Sequence, residues 1–304
     1  MTADRTDCLI VGAGAAGCAA ATYLRRFHRT VTLVDGGQSR LDQIPRTHNV
    51  PGYPQGIGGL ELHERLREQA ATYGAHTRSG VVRSIGRDGL NFRAVTDGGE
   101  IQARTILLAT GVAVVEPPLD DVARAVRTGA VRYCPICDGH EVSRARVAVL
   151  GANATSIGEA LFLRTYTSHL VYFPCNAQGQ ASDGEAIQAR ARGIDVRDKP
   201  PSDWRLEEAG GLSCQTEQGR ESFDTLYPCL GAKPRIELAT ALGARTTEEG
   251  ALITDMHQAT TARGLYAAGD ITAAIDQIAV AFGQAAIAAV AVHNLLREQE
   301  TNLA

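Results

Sequence analysis

The sequence has no excess of basic charge and no long apolar run. Its 30 basic and 34 acidic residues give a formal net charge of -4 at pH 7, which argues against nucleic acid or an anionic membrane as a partner. The most apolar stretch, Ile278 to Val292, is Ala-rich and too weakly apolar and short to span a bilayer, so we expect a buried helix there. No segment has the pattern of a signal peptide, because the first residues carry acids where a leader carries bases.

Cysteine is sparse, and only one pair is close in sequence. The seven cysteines stand at positions 8, 18, 134, 137, 175, 214 and 229. An odd number with a single close pair favours a reducing, cytoplasmic compartment over a disulfide framework. We therefore expect most of them to be small buried residues, and we do not expect a structural disulfide between Cys134 and Cys137.

A complete dinucleotide-binding unit opens the chain. An apolar strand, Cys8 to Val11, is followed by a glycine-rich turn and an Ala-rich helix, and a second strand, Val31 to Val34, ends at Asp35. The glycines of this turn are Gly12, Gly14 and Gly17. They suit a tight turn, a close approach of backbone to pyrophosphate and close helix packing, and the acid suits the ribose hydroxyls. The pattern predicts a nucleotide site at the helix N-terminus.

A second β-α-β unit repeats the topology of the first but not the pattern of three glycines after its first strand, which is called the fingerprint below. Strand Val147 to Leu150 and strand His169 to Phe173 flank a helix, and "GANATS" keeps only Gly151 of the glycines. The segment after the second strand, "YFPCNAQGQ", has neither the basic residue of an NADP site nor the acid of an NAD site. The sequence therefore predicts the fold here while leaving NADP(H) binding doubtful.

These units predict an α/β protein with two Rossmann-like three-layer dinucleotide-binding domains, the second inserted into the first. Two candidate crossings, "VVEPPLDD" and "LGAKPRIELATALGA", separate them. We expect a first, discontinuous domain over 1–116 and 246–304, and a second domain over 117–245 that carries the two close cysteines.

The stretch "VRYCPICDGHEV" admits three interpretations: half of a zinc site, a structural disulfide or a redox dithiol. Zinc needs two more ligands, and His140 would supply at most a third, so no metal site is expected. A Cys-x-x-Cys that opens a helix has thiols of lowered pKa and closes a disulfide with little strain, which favours the redox dithiol. Asp138 can serve as a general acid or as a helix cap. His140 is either an acid-base group or a surface histidine.

The segments "GAGAAG", "HNVPGYP", "LLATG", "CPICDG" and "LYAAGD" resemble, in this order, those of low-molecular-weight thioredoxin reductases. The resemblance implies a homodimeric FAD enzyme in which Cys137 faces the flavin, Cys134 exchanges with the partner and Asp138 donates and accepts the proton. It also implies that His48 shapes the flavin loop. The residues implied to contact FAD are Gly12, Gly14, Gly17, Asp35, Asn49, Thr110, Asp270 and Gln277.

The chain departs from that family pattern in the second fold and near the C-terminus, where the usual "RQA" is "DQI" and only Gln277 is kept. It resembles divergent members that lack a recognisable NADPH site. The resemblance implies exchange with a thioredoxin-like protein or a small disulfide or dithiol, with an alternative electron donor such as ferredoxin. Two rival interpretations are a dithiol oxidase that uses oxygen and a non-catalytic flavin-binding redox sensor.

Overall fold

The structure is a computed structural model that describes residues 4–152, 155–176 and 182–302. Two compact units divide the described chain. The first takes the residues up to Asp42, Gly59–Ala113 and those from Lys233 onward, and the second takes Gln43–Gly58 and Val114–Ala232.

The first unit is built on a seven-stranded sheet covered by helices. Its strands are β1 (Asp4–Val11), β2 (Val31–Asp35), β3 (His76–Ser79), β4 (Val82–Asp88), β5 (Asn91–Thr96), β6 (Gly99–Leu108) and β16 (Leu265–Ala267). Its helices are α1 (Ala15–Arg26), α2 (Gly59–Thr72), α7 (Glu237–Thr240) and α8 (Ile278–Thr301), and a 3₁₀ turn at Arg40–Gln43 leads out of it.

The second unit has a four-stranded parallel sheet and a three-stranded antiparallel sheet. The parallel sheet contains β8 (Arg146–Gly151), β9 (His169–Pro174), β10 (Asp195–Val196) and β14 (Thr225–Cys229). The antiparallel sheet contains β11 (Ser202–Leu206), β12 (Leu212–Thr216) and β13 (Gly219–Phe223). The helices are α3 (Val122–Arg127), α4 (Pro135–Asp138), α5 (Ser156–Leu163) and α6 (Asp183–Ala191), with a 3₁₀ turn at His140–Val142.

Strand order in the first sheet is β3-β2-β1-β6-β5-β4, with β16 also paired to β6. Strands β1, β2, β3, β6 and β16 are parallel neighbours, whereas β4 and β5 form an antiparallel edge. In the second unit the order β10-β9-β8-β14 is parallel throughout. Both parallel sheets carry helical crossovers, and the predicted fold class of two dinucleotide-binding folds is confirmed.

The chain passes between the two compact units at 113/114 and at 232/233. The sequence predicted these boundaries at 116/117 and 245/246. Two short strands, β7 (Val112–Val114) and β15 (Ala232–Pro234), pair with each other at these crossings. Helix α7 follows the second crossing, and its Ala239 is buried in the core of the first unit. The segment 43–58 groups with the second unit, which no local sequence pattern indicates.

The C-terminal helix α8 differs from expectation in length. By length and composition it could cross a membrane, because it continues past Val292 through polar residues to Thr301. The expectation that it is too short is therefore wrong. One face packs against α1 in the core of the first unit, and 28% of the most apolar part of the helix is buried, so the expectation of a buried helix holds for that face alone. The residues of this face are Ala281, Ala285, Ala288, Ala289, Val292 and Leu296.

Candidate redox-active site

The two close cysteines lie at the start of the short helix α4 and form a disulfide, with their Cα atoms 5.2 Å apart. Cys134 is the N-cap of this helix, and its Sγ accepts a hydrogen bond from the Cys137 N–H at 3.1 Å. Pro135 occupies the first helical turn, where its missing N–H costs no hydrogen bond. The two sulfurs are therefore unequal, because only that of Cys134 receives this N–H.

Asp138 follows the dithiol directly and holds a partner on each carboxylate oxygen. Tyr227 donates its hydroxyl to Oδ1 at 2.7 Å, and Arg132 donates Nη1 to Oδ2 at 3.0 Å. Burial raises the pKa of Asp138, while the Tyr227 hydrogen bond and the Arg132 cation oppose that rise. Burial and these two partners therefore act in opposite directions on the pKa of the carboxyl group that follows the dithiol.

The histidines near the dithiol differ in surroundings. His140 is exposed, which suits the surface histidine among the two interpretations. His48, from the 43–58 segment, places Nδ1 2.9 Å from a carboxylate oxygen of Glu141, next to His140 in the chain. A Cβ on Gly56 would lie 2.5 Å from the His48 ring, so the chain has no room for a side chain at position 56.

Glycine occurs at the start of α1 for two different reasons. A Cβ on Gly12 would lie 2.3 Å from the Ala109 carbonyl oxygen, and one on Gly17 would lie 1.8 Å from the Gly12 oxygen. Packing therefore requires both. Gly14 is different, because a Cβ there would meet only Ser39 Oγ, at 3.6 Å. Gly14 is also the N-cap and offers no side-chain cap to α1. A glycine that the fold does not need, at an open helix N-terminus, fits the close approach of a bound phosphate.

Asp35 ends β2 at the same edge of the sheet and is buried. Its Oδ1 accepts from the Gly37 N–H at 2.8 Å, and its Oδ2 lies 3.0 Å from Arg67 Nη1. These bonds fix the carboxylate and leave further acceptor positions on both oxygens.

His63 contacts the glycine-rich turn before α1. This buried residue of α2 places Nε2 2.8 Å from the Ala13 carbonyl oxygen and Nδ1 2.6 Å from Asp42 Oδ1. The loop between Gly12 and Gly14 is thereby tied to a helix 50 residues further along the chain.

Asp270 shares Arg40 with a second carboxylate. Arg40 Nη1 lies 2.6 Å from Asp270 Oδ2 and 3.1 Å from Asp276 Oδ2. Burial and the neighbouring Asp270 raise the pKa of Asp276. A Cβ on Gly269, just before Asp270, would lie 3.2 Å from the Ala16 Cβ, so this turn packs against the start of α1.

The remaining predicted FAD contacts are spread over both units. Thr110 donates its hydroxyl to the Arg235 carbonyl oxygen at 2.8 Å. Gln277 is the N-cap of α8, with no side-chain cap bond to that helix. Asn49 lies in the 43–58 segment of the second unit and accepts from the Thr47 hydroxyl at 2.8 Å. Of the other predicted FAD residues, Gly12 follows β1 and Asp35 ends β2, so both lie at the carboxyl edge of the first sheet.

At the corresponding edge of the second sheet, Gly151 packs closely against other residues of the chain. A Cβ on Gly151 would lie 2.1 Å from the Tyr172 hydroxyl oxygen and 2.8 Å from Ser156 Cβ, so packing alone explains this glycine. Glu159, in the first turn of α5, places Oε2 3.1 Å from the Cys229 sulfur. Burial raises the pKa of both groups. Residues 153–154 of the altered fingerprint and 177–181 of the following loop lie outside the described residues.

Sequence reasoning missed the side chains that orient the predicted ones. Tyr227 for Asp138, Arg67 for Asp35 and Arg40 for Asp270 are each remote in sequence from the residue they contact. Arg132 stands in the same stretch as the dithiol, but nothing in that pattern indicates that it pairs with Asp138. Across the described ranges, no group of three or more His, Cys, Asp or Glu side chains could hold a metal ion.

Comparisons with known proteins agree with this architecture. The pattern of the pyridine nucleotide-disulphide oxidoreductase family matches residues 6–285, and the chain belongs to that family. The thioredoxin reductase of Bacillus subtilis is 29% identical, over 97% of this chain and 96% of that protein.

Two solved structures are also similar. The crystal structure of HlmI is 26% identical, covers 98% of this chain and 94% of that one, and has a TM-score of 0.90. The atypical thioredoxin reductase TRi from Desulfovibrio vulgaris Hildenborough is 32% identical, covers 98% and 99% of the two chains, and has a TM-score of 0.54. The chain is a thioredoxin reductase-like flavoprotein disulfide oxidoreductase, and its family implies FAD.

Proposed function

We propose that this flavoprotein passes electrons between FAD and a substrate disulfide or dithiol through Cys134 and Cys137, with Asp138 carrying the proton. The observation that carries the proposal is the arrangement around α4. A disulfide lies at the start of this helix, and the half-buried carboxyl group of Asp138, which accepts two hydrogen bonds, follows it. FAD, when bound, supplies the two-electron chemistry that the side chains lack. Its proposed ligands are those implied by the resemblance.

The exchange itself uses only the two thiols and the acid. In the reducing direction, the Cys134 thiolate attacks the substrate disulfide, forms a mixed disulfide and releases one substrate thiolate. Cys137 then attacks Cys134, the Cys134–Cys137 disulfide forms and the second substrate thiolate leaves. Two electrons pass to the substrate. Asp138 is proposed to give its proton to the first leaving thiolate, to take the proton of Cys137 as that thiol attacks, and to pass it to the second leaving thiolate. The reverse sequence oxidises a dithiol.

The role of Cys134 as the exchanging thiol is supported by the hydrogen bond at its sulfur. In the dithiol state the Cys137 N–H that now points to Cys134 Sγ would stabilise a thiolate there and lower its pKa. Cys137 is proposed as the cysteine that exchanges electrons with the flavin.

The electron donor is proposed to be something other than NADPH or NADH, for example reduced ferredoxin. The loss of the later fingerprint glycines and the absence of a charged residue after the second strand support this. The proposed substrate is a thioredoxin-like protein or a small disulfide or dithiol, and a homodimer is proposed from the resemblance. A dithiol oxidase that uses oxygen would have the same site with electrons flowing in the opposite direction.

An anaerobic titration of the purified protein tests the proposal. Dithiothreitol, NADPH, NADH and reduced ferredoxin are added in turn while the visible flavin absorbance is recorded. Bleaching by dithiothreitol that is lost in a Cys134→Ser, Cys137→Ser double variant supports the dithiol pathway. Equal bleaching of both proteins would contradict it. Oxygen uptake on adding the dithiol in air would assign the oxidase direction.

A further inference from the structure

The carboxyl group of Asp138 is held in place by two residues that lie outside the dithiol motif. Arg132 precedes the motif, and Tyr227 lies 89 residues beyond Asp138 in the chain. With Tyr227 on Oδ1 and Arg132 on Oδ2, the side chain has its rotamer fixed from two sides.

The fold supports both partners rigidly. Tyr227 is 1% exposed in the centre of β14, where it belongs to the core of the second unit. The backbone before the dithiol runs beside the same strand, because Val131 forms a bridge with Leu226 and the Arg132 N–H donates to the Leu226 oxygen at 3.0 Å. A single strand therefore presents Tyr227 and positions Arg132.

The Arg132 guanidinium is committed to this carboxylate. Within the described chain its only ion pair is with Asp138, and its Nε is buried without a hydrogen-bond partner. Glu141 is the other acid that influences Asp138, but its carboxylate is paired with His48. One cation and one hydroxyl thus oppose the effect of burial and of Glu141 on the charge of Asp138.

We infer that Arg132 and Tyr227 are positioning residues that hold the Asp138 carboxyl group in one orientation for proton transfer and set the pH range in which it exchanges a proton. This inference rests on the proposed thiol-disulfide exchange. Loss of either partner removes a bond to the ionised form, so the pKa of Asp138 should rise further. The limb of the pH–rate profile that reports Asp138 should then move to higher pH.

The test compares substrates whose leaving thiols differ in basicity. A dialkyl disulfide such as bis(2-hydroxyethyl) disulfide releases a basic thiolate that needs a proton, whereas an aromatic disulfide such as Ellman's reagent releases an acidic thiol that does not. Single-turnover oxidation of the dithiol-reduced protein is measured with both. Tyr227→Phe should slow the alkyl reaction by about tenfold or more and leave the aromatic reaction within about twofold.

Matched variants separate positioning from damage to the fold. Tyr133→Phe removes a buried hydroxyl that has no hydrogen-bond partner among the described residues, and it should leave both reactions unchanged. Arg132→Gln should shift the pH limb upward, and Arg132→Lys should restore part of the shift.

Two results would overturn the inference: equal slowing with both disulfides, or a pH limb that stays in place in Arg132→Gln and Tyr227→Phe. Failure of the wild-type protein to react with either disulfide would instead contradict the proposed function.

Discussion

The Tyr172 hydroxyl oxygen lies 2.1 Å from where a Cβ on Gly151 would stand. Gly151 is the one glycine left from the second fingerprint, and Tyr172, 1% exposed on β9, accounts for it without a ligand. Gly14 in the first fingerprint has no such neighbour. Gly12, the first glycine of the first fingerprint, has the same packing cause as Gly151, so the fit to a ligand in the first unit depends on Gly14.

The first prediction concerns the nicotinamide nucleotides. A missing 2′-phosphate clamp removes charge-assisted hydrogen bonds of roughly 1.5–3 kcal/mol each, and the loss of two would weaken binding by about a hundredfold or more. The second unit also lacks the acid that binds the ribose of NADH. NADPH and NADH should therefore both reduce the flavin orders of magnitude more slowly than dithiothreitol does. Anaerobic stopped-flow absorbance measures both rates. Stoichiometric bleaching by a small excess of NADPH would overturn this expectation.

The second prediction separates ligand binding from folding at the first fingerprint. FAD should copurify with the wild-type protein. Gly14→Ala meets no close atom of the chain and keeps an ordinary φ of -73°, so it should fold with a normal melting temperature as apoprotein yet lose FAD. Gly17→Ala would force a Cβ to 1.8 Å from the Gly12 oxygen, so it should lower the melting temperature of the apoprotein itself. Equal melting and equal flavin content in the two variants would contradict the assignment.

The third prediction assigns the cysteines. Cys137→Ser should trap a stable mixed disulfide with a partner at Cys134, because no resolving thiol remains. Cys134→Ser should not trap one, and it should show a long-wavelength charge-transfer band from a lone Cys137 thiolate that fades in acid. Mass spectrometry and absorbance spectra of the flavin-loaded variants measure these outcomes. If the band appears in Cys137→Ser instead, the roles are reversed.

The fourth prediction concerns acid stability at the end of α8. Arg29, which is buried, and Arg104 hydrogen-bond Glu300 and lower the pKa of this carboxyl from 4.5 to about 2. Because the folded-state pKa is depressed, the stabilisation is present above the unfolded value near 4.5 and is lost as pH falls toward 2. Glu300→Gln should lower the urea midpoint at pH 7, and the difference from wild type should shrink below pH 4.5.

A matched control for that prediction is Glu61→Gln, which breaks an exposed pair with Arg65. Exposed pairs of this kind contribute little, so its urea midpoint should stay close to the wild-type value. A Glu300→Gln deficit that is the same at pH 7 and pH 3 would argue for lost packing instead of a lost ion pair.

The local sequence pattern was enough to predict the fold class, the strands beside the two fingerprints and the interpretation of the close cysteine pair as a redox dithiol. Apolar runs of strand length and glycines at fixed offsets are set by neighbours in the chain, so they are legible in the sequence. The family resemblance added the expected roles of Cys134, Cys137 and Asp138. The length of α8 was misjudged because the polar residues after Val292 hide its continuation.

Tertiary structure alone decided which side chains surround those residues. Tyr227 reaches Asp138 because β14 lies beside the backbone before the dithiol, and Arg40 reaches Asp270 across 230 positions. It also assigned a packing cause to Gly151 and an open position to Gly14. Hydrogen bonds and steric exclusion depend on distances of a few ångströms between segments remote in sequence, and those distances exist only once the sheets have formed.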